Sequence, residues 1–270
     1  MFVMMSVRHA TCRVALFTMT MLVFAAPASA QSSADPLKSP MWTDMVERHF
    51  GDRPVQFDDR VRVIVPSIVE DQAHVPVTAD ARAIPDVVEM IVFADLNPIQ
   101  HVLTLKPAKA EPYISFRMKV EQGTPVRAAA LTRDGTWHVG GVFLDAAGGG
   151  CSAPAQARKD VSWADTLGET HGRLWREPSG HVRARLRIKH PMDTGLAKDN
   201  SPAFYIEKTV LRTPSGEVLA IVESFEPLSE DPTLTLLLDL PTSESALDMD
   251  GRDNNGREYR ARLPAPWRQS

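Results

Sequence analysis

The sequence predicts an all-β protein: two antiparallel β-sandwich units joined by a glycine-rich, cysteine-bearing linker, with one short helix at the start. Three observations predict it. Apolar residues alternate with polar ones at period two through most of the chain. Turn residues interrupt those runs at short intervals. The alternation then stops over Asp145 to Ser162, where three consecutive glycines precede Cys151. At 270 residues, 43% hydrophobic and 24% charged, the chain is long enough for two packed cores and too apolar to be disordered. A net charge of −4 without a Lys/Arg run argues against nucleic acid as a partner.

Residues 1–30 read as a cleaved signal peptide. Arg8 and Arg13 supply a positive start, Val14 to Ala26 an apolar run, and Ala28-Ser29-Ala30 a small-residue cleavage site. The apolar run is shorter than the ~20 residues of a membrane span. No later stretch comes near that length, so an exported, periplasmic product with no membrane span after cleavage is expected. Cys12 lies before the apolar run, where it cannot serve as a lipid anchor, and it leaves with the signal. Cys151 then remains alone and cannot form an internal disulfide.

Ser39-Pro40 reads as a helix start and Met41 to Phe50 as the helix, with Gly51 placed to end it. Seven strand patterns follow: Val61/Val63/Val65, Val75/Val77, Val87 to Phe93, Val102 to Leu105, Ile114 to Val120, Val126 to Leu131 and Trp137 to Leu144. Asn97-Pro98, Glu121-Gln122-Gly123 and Arg133-Asp134-Gly135 read as turns between them. Seven such strands with no helical pattern between them predict an antiparallel sandwich. After the linker, strand-like alternation resumes near Arg173. It continues at His181 to Lys189, Phe204 to Leu211, Val218 to Phe225, Leu234 to Leu240 and Glu258 to Leu263. Asp248 to Gly256 reads as a further turn-rich stretch. The domain boundaries so defined are 31–145, a linker at 146–162, and 163–270.

A lone cysteine is either a buried inert thiol or an exposed reactive one. The linker points to the second. Gly148-Gly149-Gly150 precedes Cys151, Ser152-Ala153-Pro154 follows, and no large apolar side chain lies within six residues on either side. Glycines allow a narrow, adaptable arm. Asp145 to Gly150 could extend ~20 Å at ~3.3 Å per residue. An exposed thiol there would have a pKa near ~8.5 and be a few per cent thiolate at neutral pH.

The run Gly148-Gly149-Gly150-Cys151-Ser152-Ala153-Pro154, behind Val63-Ile64-Val65-Pro66-Ser67-Ile68-Val69-Glu70-Asp71, Val75-Pro76-Val77 and Asn97-Pro98, resembles the cysteine arm and body of SoxY. The second half is similar to SoxZ, most sharply at Ile188-Lys189-His190-Pro191-Met192-Asp193-Thr194-Gly195, then Lys198-Asp199 and Tyr205-Ile206. The whole resembles a fused SoxYZ-like sulfur carrier of the kind associated with quinoprotein dehydrogenases. That resemblance implies two immunoglobulin-like β-sandwich domains packed together. It also implies Cys151 as the covalent attachment point of a sulfur-containing or other small substrate. Gly148 to Gly150 and Ser152 to Pro154 would form the carrier arm. The implied partners are periplasmic oxidoreductases, either sulfur-oxidising enzymes or a quinoprotein dehydrogenase system. Oxidation would belong to them, and the carrier would need neither catalytic machinery nor a cofactor. The chain departs from the family pattern in placing Ser152-Ala153-Pro154 where glycines usually follow the cysteine. The arm is also tethered at both ends, and Pro154 stiffens it.

Other motifs yield less. His190 and Met192 could suit a soft metal, but the intervening proline favours a strand-ending turn. The seven histidines from His49 to His190 show no zinc-protease spacing, and no metal is expected. Asp248 to Gly256 lacks the calcium-loop pattern. No G-x-S-x-G or nucleotide-binding motif is present, and a glycine-rich tether is a poor support for a Cys–His dyad. Two rival readings keep the same residues: a non-covalent docking subunit for a quinoprotein dehydrogenase, and a thiol redox sensor.

Overall fold

In the computed structural model, which describes Met1 and residues 34–159 and 162–268, helix α1 is Trp42–His49. The signal peptide expected over residues 1–30 lies, Met1 apart, outside the described residues. The Ser39 hydroxyl accepts from Met41 N at 3.3 Å, but the cap position itself falls on Met41, two residues after the expected start. At the other end Phe50 N bonds Val46 O, and Gly51 takes a φ of +58°, the left-handed exit that glycine allows.

Eight strands follow in the first half: β1 Val55–Phe57, β2 Arg62–Ile64, β3 Val75–Asp80, β4 Val87–Ala94, β5 His101–Lys106, β6 Ala110–Met118, β7 Thr124–Thr132 and β8 Trp137–Leu144. The seven expected strands are all present. The addition is β1, three residues paired in parallel with β8, too short to show a period. The second half holds β9 Thr170–Arg176, β10 Val182–Ile188, β11 Ile206–Arg212, β12 Val218–Ser224, β13 Thr233–Leu238, β14 Ala246–Asp253 and β15 Glu258–Pro264.

The stretch read as a turn, Asp248 to Gly256, is mostly strand β14; only the residues around Asn254-Asn255-Gly256 turn. Its charged residues misled because they pair across the sheet instead of facing water unpaired. Arg262 binds Asp248, Arg212 binds Asp250, and Arg252 binds Glu207, while Leu247 and Met249 fill the core.

The strands form two sheets. One has the order β1-β8-β7-β4-β5-β12-β11-β14-β15, the other β2-β3-β6-β13-β10-β9. Each half supplies strands to both sheets, so each half is a sandwich and the two sandwiches join edge to edge. The seams are antiparallel pairs, β5 with β12 and β6 with β13, with Leu105 opposite Val222 and Ile114 opposite Leu236. Four strand edges that would otherwise be open are thereby closed. One apolar core runs between the sheets through both halves.

A second core lies on the outer face of the larger sheet, where Trp42, Met45 and Phe50 cover Ile91, Phe93, Ala129 and Leu131. This explains the nearly unbroken apolar run of β4. Met90, Val92 and Ala94 face the inter-sheet core, Ile91 and Phe93 face α1, and each large buried side chain contributes about 1.5–3 kcal/mol. Arg127, 1% exposed, lies in this layer. Its Nε donates to both Asp95 oxygens at 3.1 and 3.0 Å, its Nη2 to Asp35 at 2.7 Å, and its guanidinium lies 4.5 Å from the Trp42 ring centroid. Removing one member of a buried pair strands the other charge, a loss of about 3–5 kcal/mol. Arg127→Ala should therefore lower the urea unfolding free energy by that amount; a loss of under about 1 kcal/mol would rank this network with exposed pairs.

His49 stacks on Phe93 at 4.8 Å and meets His101 edge-on at 5.1 Å. Burial holds each imidazole down to about 4, with the neighbouring His101 and Arg48 charges adding to the effect at His49. A folded-state pKa below the unfolded one means that the unfolded chain binds more protons. The stability these groups confer is complete above the unfolded value of ~6.5 and is lost as pH falls through 4. The urea midpoint should thus be lower at about pH 4.5 than at about pH 7.5. His49 Nε2 has no partner among the described residues, so His49→Phe should fold and narrow that difference.

Candidate functional site

The seam of the smaller sheet runs through β13, and this strand decides what meets what. It is antiparallel to β6 on one side and to β10 on the other. Those two strands therefore run parallel and end at the same edge of the sheet, about 10 Å apart at ~4.8 Å per strand spacing. The loop after β6 carries Lys119, Val120 and Glu121. The loop after β10 carries His190 to Gly195. Between them the approach to β13 is fastened to both sides: Lys119 N bonds Pro227 O, Ser229 N bonds Arg117 O, and Asp231 N bonds His190 O.

The segment 145–155 lies across this edge. Gly149 N donates to Glu121 O at 3.2 Å and Gly150 N to Val120 O at 2.9 Å, while Val120 N donates to Gln72 O. The glycines serve close approach rather than looseness. A Cβ on Gly148 would stand 2.1 Å from Glu121 O, and one on Gly150 would stand 2.0 Å from Gln72 O and 2.7 Å from Val120 O. Gly149 has open space around it, Ser152 and Ala153 are half-buried, and Pro154 is exposed.

Cys151 is buried, at 0% exposure, and this corrects the exposed thiol expected from the linker. The linker does lack apolar side chains, but the walls come from elsewhere in the chain. The Glu121 carboxylate accepts from Cys151 N and Ser152 N at 3.0 Å each and from Ser152 Oγ at 2.9 Å. From the other half, Thr194 Oγ1 donates to Cys151 O at 2.6 Å. Farther along, Glu230 accepts from Gln156 N and Ala157 N. Arg158 binds Asp193 and lies 4.6 Å from the Trp163 ring centroid.

Burial, reinforced by the Glu121 charge and opposed by Lys119, pushes the Cys151 thiol up to about 12. At neutral pH the docked thiol is protonated and a poor nucleophile. Released into water, at ~8.5, it would hold on the order of a thousand times more thiolate.

Sequence reasoning named Cys151 and its flanking residues as the candidate site and did not name Lys119, Glu121 or Glu230. In the run Met118-Lys119-Val120-Glu121 the polar members alternate with apolar ones and so read as facing solvent. Only the return of the arm over them gives them another role. At His190-Pro191-Met192 strand β10 has ended, at Ile188, and the chain is irregular where a turn was expected. Met192 N donates to His190 Nδ1 at 3.1 Å, and Met192 Sδ accepts from Ile206 N at 3.3 Å.

Two family matches divide the chain. Residues 46–151 match the family described as sulfur oxidation protein SoxY, and residues 175–264 match sulphur oxidation protein SoxZ. Among solved structures the chain is similar to the sulfur carrier protein SoxY from Chlorobium limicola f thiosulfatophilum. That likeness has 21% identity and a TM-score of 0.36, covering 39% of this chain and 91% of that one. A structure of the receptor tyrosine kinase Torso is similar at 9% identity and a TM-score of 0.23, covering 78% of this chain and 76% of the other. TM-scores of this size carry no argument. Curated proteins give no significant match.

Among the described residues, Glu121 is the one side chain that accepts from the backbone on both sides of Cys151. Glu121→Ala should raise the rate of Cys151 alkylation by iodoacetamide at least about tenfold, given ~1.5–3 kcal/mol per hydrogen bond to a charged group. An unchanged rate would mean that the arm is held by its other contacts.

Proposed function

Because this chain belongs to the SoxYZ-like family, a SoxY unit followed by a SoxZ unit, we propose that it is a periplasmic carrier which holds a sulfur-containing or other small substrate covalently on Cys151. The observation that carries this reading is the setting of Cys151. The thiol lies on a glycine-rich arm that is docked in a cleft built by both halves and held there by hydrogen bonds. Hydrogen bonds to water can replace these when the arm lifts, which a thiol sealed by apolar side chains would not allow so readily.

The chemistry follows from the two positions of the arm. Docked, the thiol stays protonated. Lifted, it regains an ordinary acidity, with a few per cent thiolate at neutral pH, and the thiolate sulfur can form a bond to a sulfur of the substrate. Joining a thiolate to a second thiol-level sulfur releases one proton and two electrons. A partner oxidoreductase, either a sulfur-oxidising enzyme or a quinoprotein dehydrogenase system, is the proposed acceptor. The carrier supplies the attachment point and the delivery, and the redox step belongs to the partner. Export by the residue 1–30 signal would place the carrier beside such enzymes.

The test is the intact mass of the protein purified from the periplasm of its own host, with and without Cys151→Ser. A substrate-derived mass on the wild-type chain, absent from the variant together with function, is the expected result. An unmodified thiol under all growth conditions, with full function in Cys151→Ser, would overturn the carrier and favour a non-covalent docking subunit. A Cys151-linked dimer on oxidation, with no other adduct, would favour a redox sensor.

A further inference from the structure

Lys119 is a charged group that the carrier reading does not use. Its residue is only 3% exposed. Its ammonium, with three hydrogens to donate, makes one hydrogen bond to the described residues, to the Met192 carbonyl. That carbonyl belongs to a residue held at a φ of +49°, unusual for a side chain other than glycine. The carboxylates of this region are engaged elsewhere: Glu121 by Cys151 N and Ser152, Asp193 by Arg158, and Glu230 by Gln156 N and Ala157 N. Among the described residues no carboxylate comes within 4.0 Å of the Lys119 nitrogen to form an ion pair. A buried ammonium without a paired anion is unfavourable by itself: burial pushes the Lys119 pKa down, and the charges of Asp193, Cys151 and Glu230 oppose that shift from a distance.

The same ammonium is one of two charges that act on the Cys151 sulfur, the other being Glu121. Lys119 and Glu121 stand two apart just past the end of β6. Val120 between them bonds the arm at Gly150. The docked arm therefore brings the sulfur within electrostatic reach of a cation that has donors to spare among the described residues.

We propose that Lys119 is a positioning residue for the cargo: it pairs with negative charge carried on the Cys151 sulfur, so that the docked arm retains an anionic adduct more firmly than a neutral one. This rests on the carrier reading, but its test loads the adduct chemically and so can fail independently of the intact-mass experiment. The purified chain is treated with 2-sulfonatoethyl methanethiosulfonate or with 2-hydroxyethyl methanethiosulfonate. In each case the Cys151 thiolate forms a disulfide with the transferred sulfur, and methanesulfinate leaves with the bonding electron pair. Release of each adduct by dithiothreitol is followed by intact mass and divided into the rate for the same adduct on the urea-unfolded chain, which removes the reagent's own charge effect.

Folding should protect the sulfonate adduct about tenfold more than the hydroxyl adduct, the scale of one charge-assisted hydrogen bond. In Lys119→Met that ratio should fall to about one, while protection of the hydroxyl adduct changes less than about twofold. Equal protection of the two adducts in the wild-type chain would overturn the proposal. So would a ratio that survives in Lys119→Met. The wild-type comparison decides by itself if the variant does not fold.

Discussion

The structure depends on one strand pairing with two others. β13 belongs to the second half, yet it forms hydrogen-bonded ladders with β6 of the first half and with β10 of its own. Backbone ladders leave no freedom of register once side chains on one face are buried. The ends of β6 and β10 are therefore fixed relative to each other, and so are the loops that follow them. A cleft with one wall from each half results from this pairing. Two sandwiches tethered only by a flexible linker would offer no such cleft.

Charge then determines how the cleft treats its occupant. Glu121 holds the backbone on both sides of Cys151 and at the same time disfavours a thiolate, while Lys119 opposes it. Burial and the carboxylate prevail over the ammonium, and the docked thiol stays protonated. The arrangement joins position to reactivity. The contact that holds the arm against the cleft also keeps the sulfur protonated.

The arm itself is neither loose nor locked. Gly148 and Gly150 let its backbone touch that of Glu121, Val120 and Gln72 at distances that no side chain would permit. Its downstream end is fastened by Glu230 and by the Arg158–Asp193 pair. The length between its anchors is thus short, bounded by β8 on one side and by the single 3-10 turn Gln156–Lys159 on the other.

Much of the strand pattern was legible in the sequence, because period-two burial leaves a mark at every other residue. Val75, Val77 and Ala79 show it, as do Val182, Ala184, Leu186 and Ile188. The double apolar run of β4 was legible as a strand, though its cause, a helix covering the outer face, was not. β14 was lost because its aspartates and arginines find partners on neighbouring strands, and a single sequence does not show pairing. The sequence by itself determined the all-β class, the helix, the position of Cys151 and the glycines around it, since these depend on local backbone and side-chain chemistry. Only the tertiary structure decided that Cys151 is buried, that Lys119 and Glu121 attend it, and that Thr194 closes over it. Those contacts join residues 30 to 43 positions apart in sequence, and what brings them together is strand order, which no local pattern encodes.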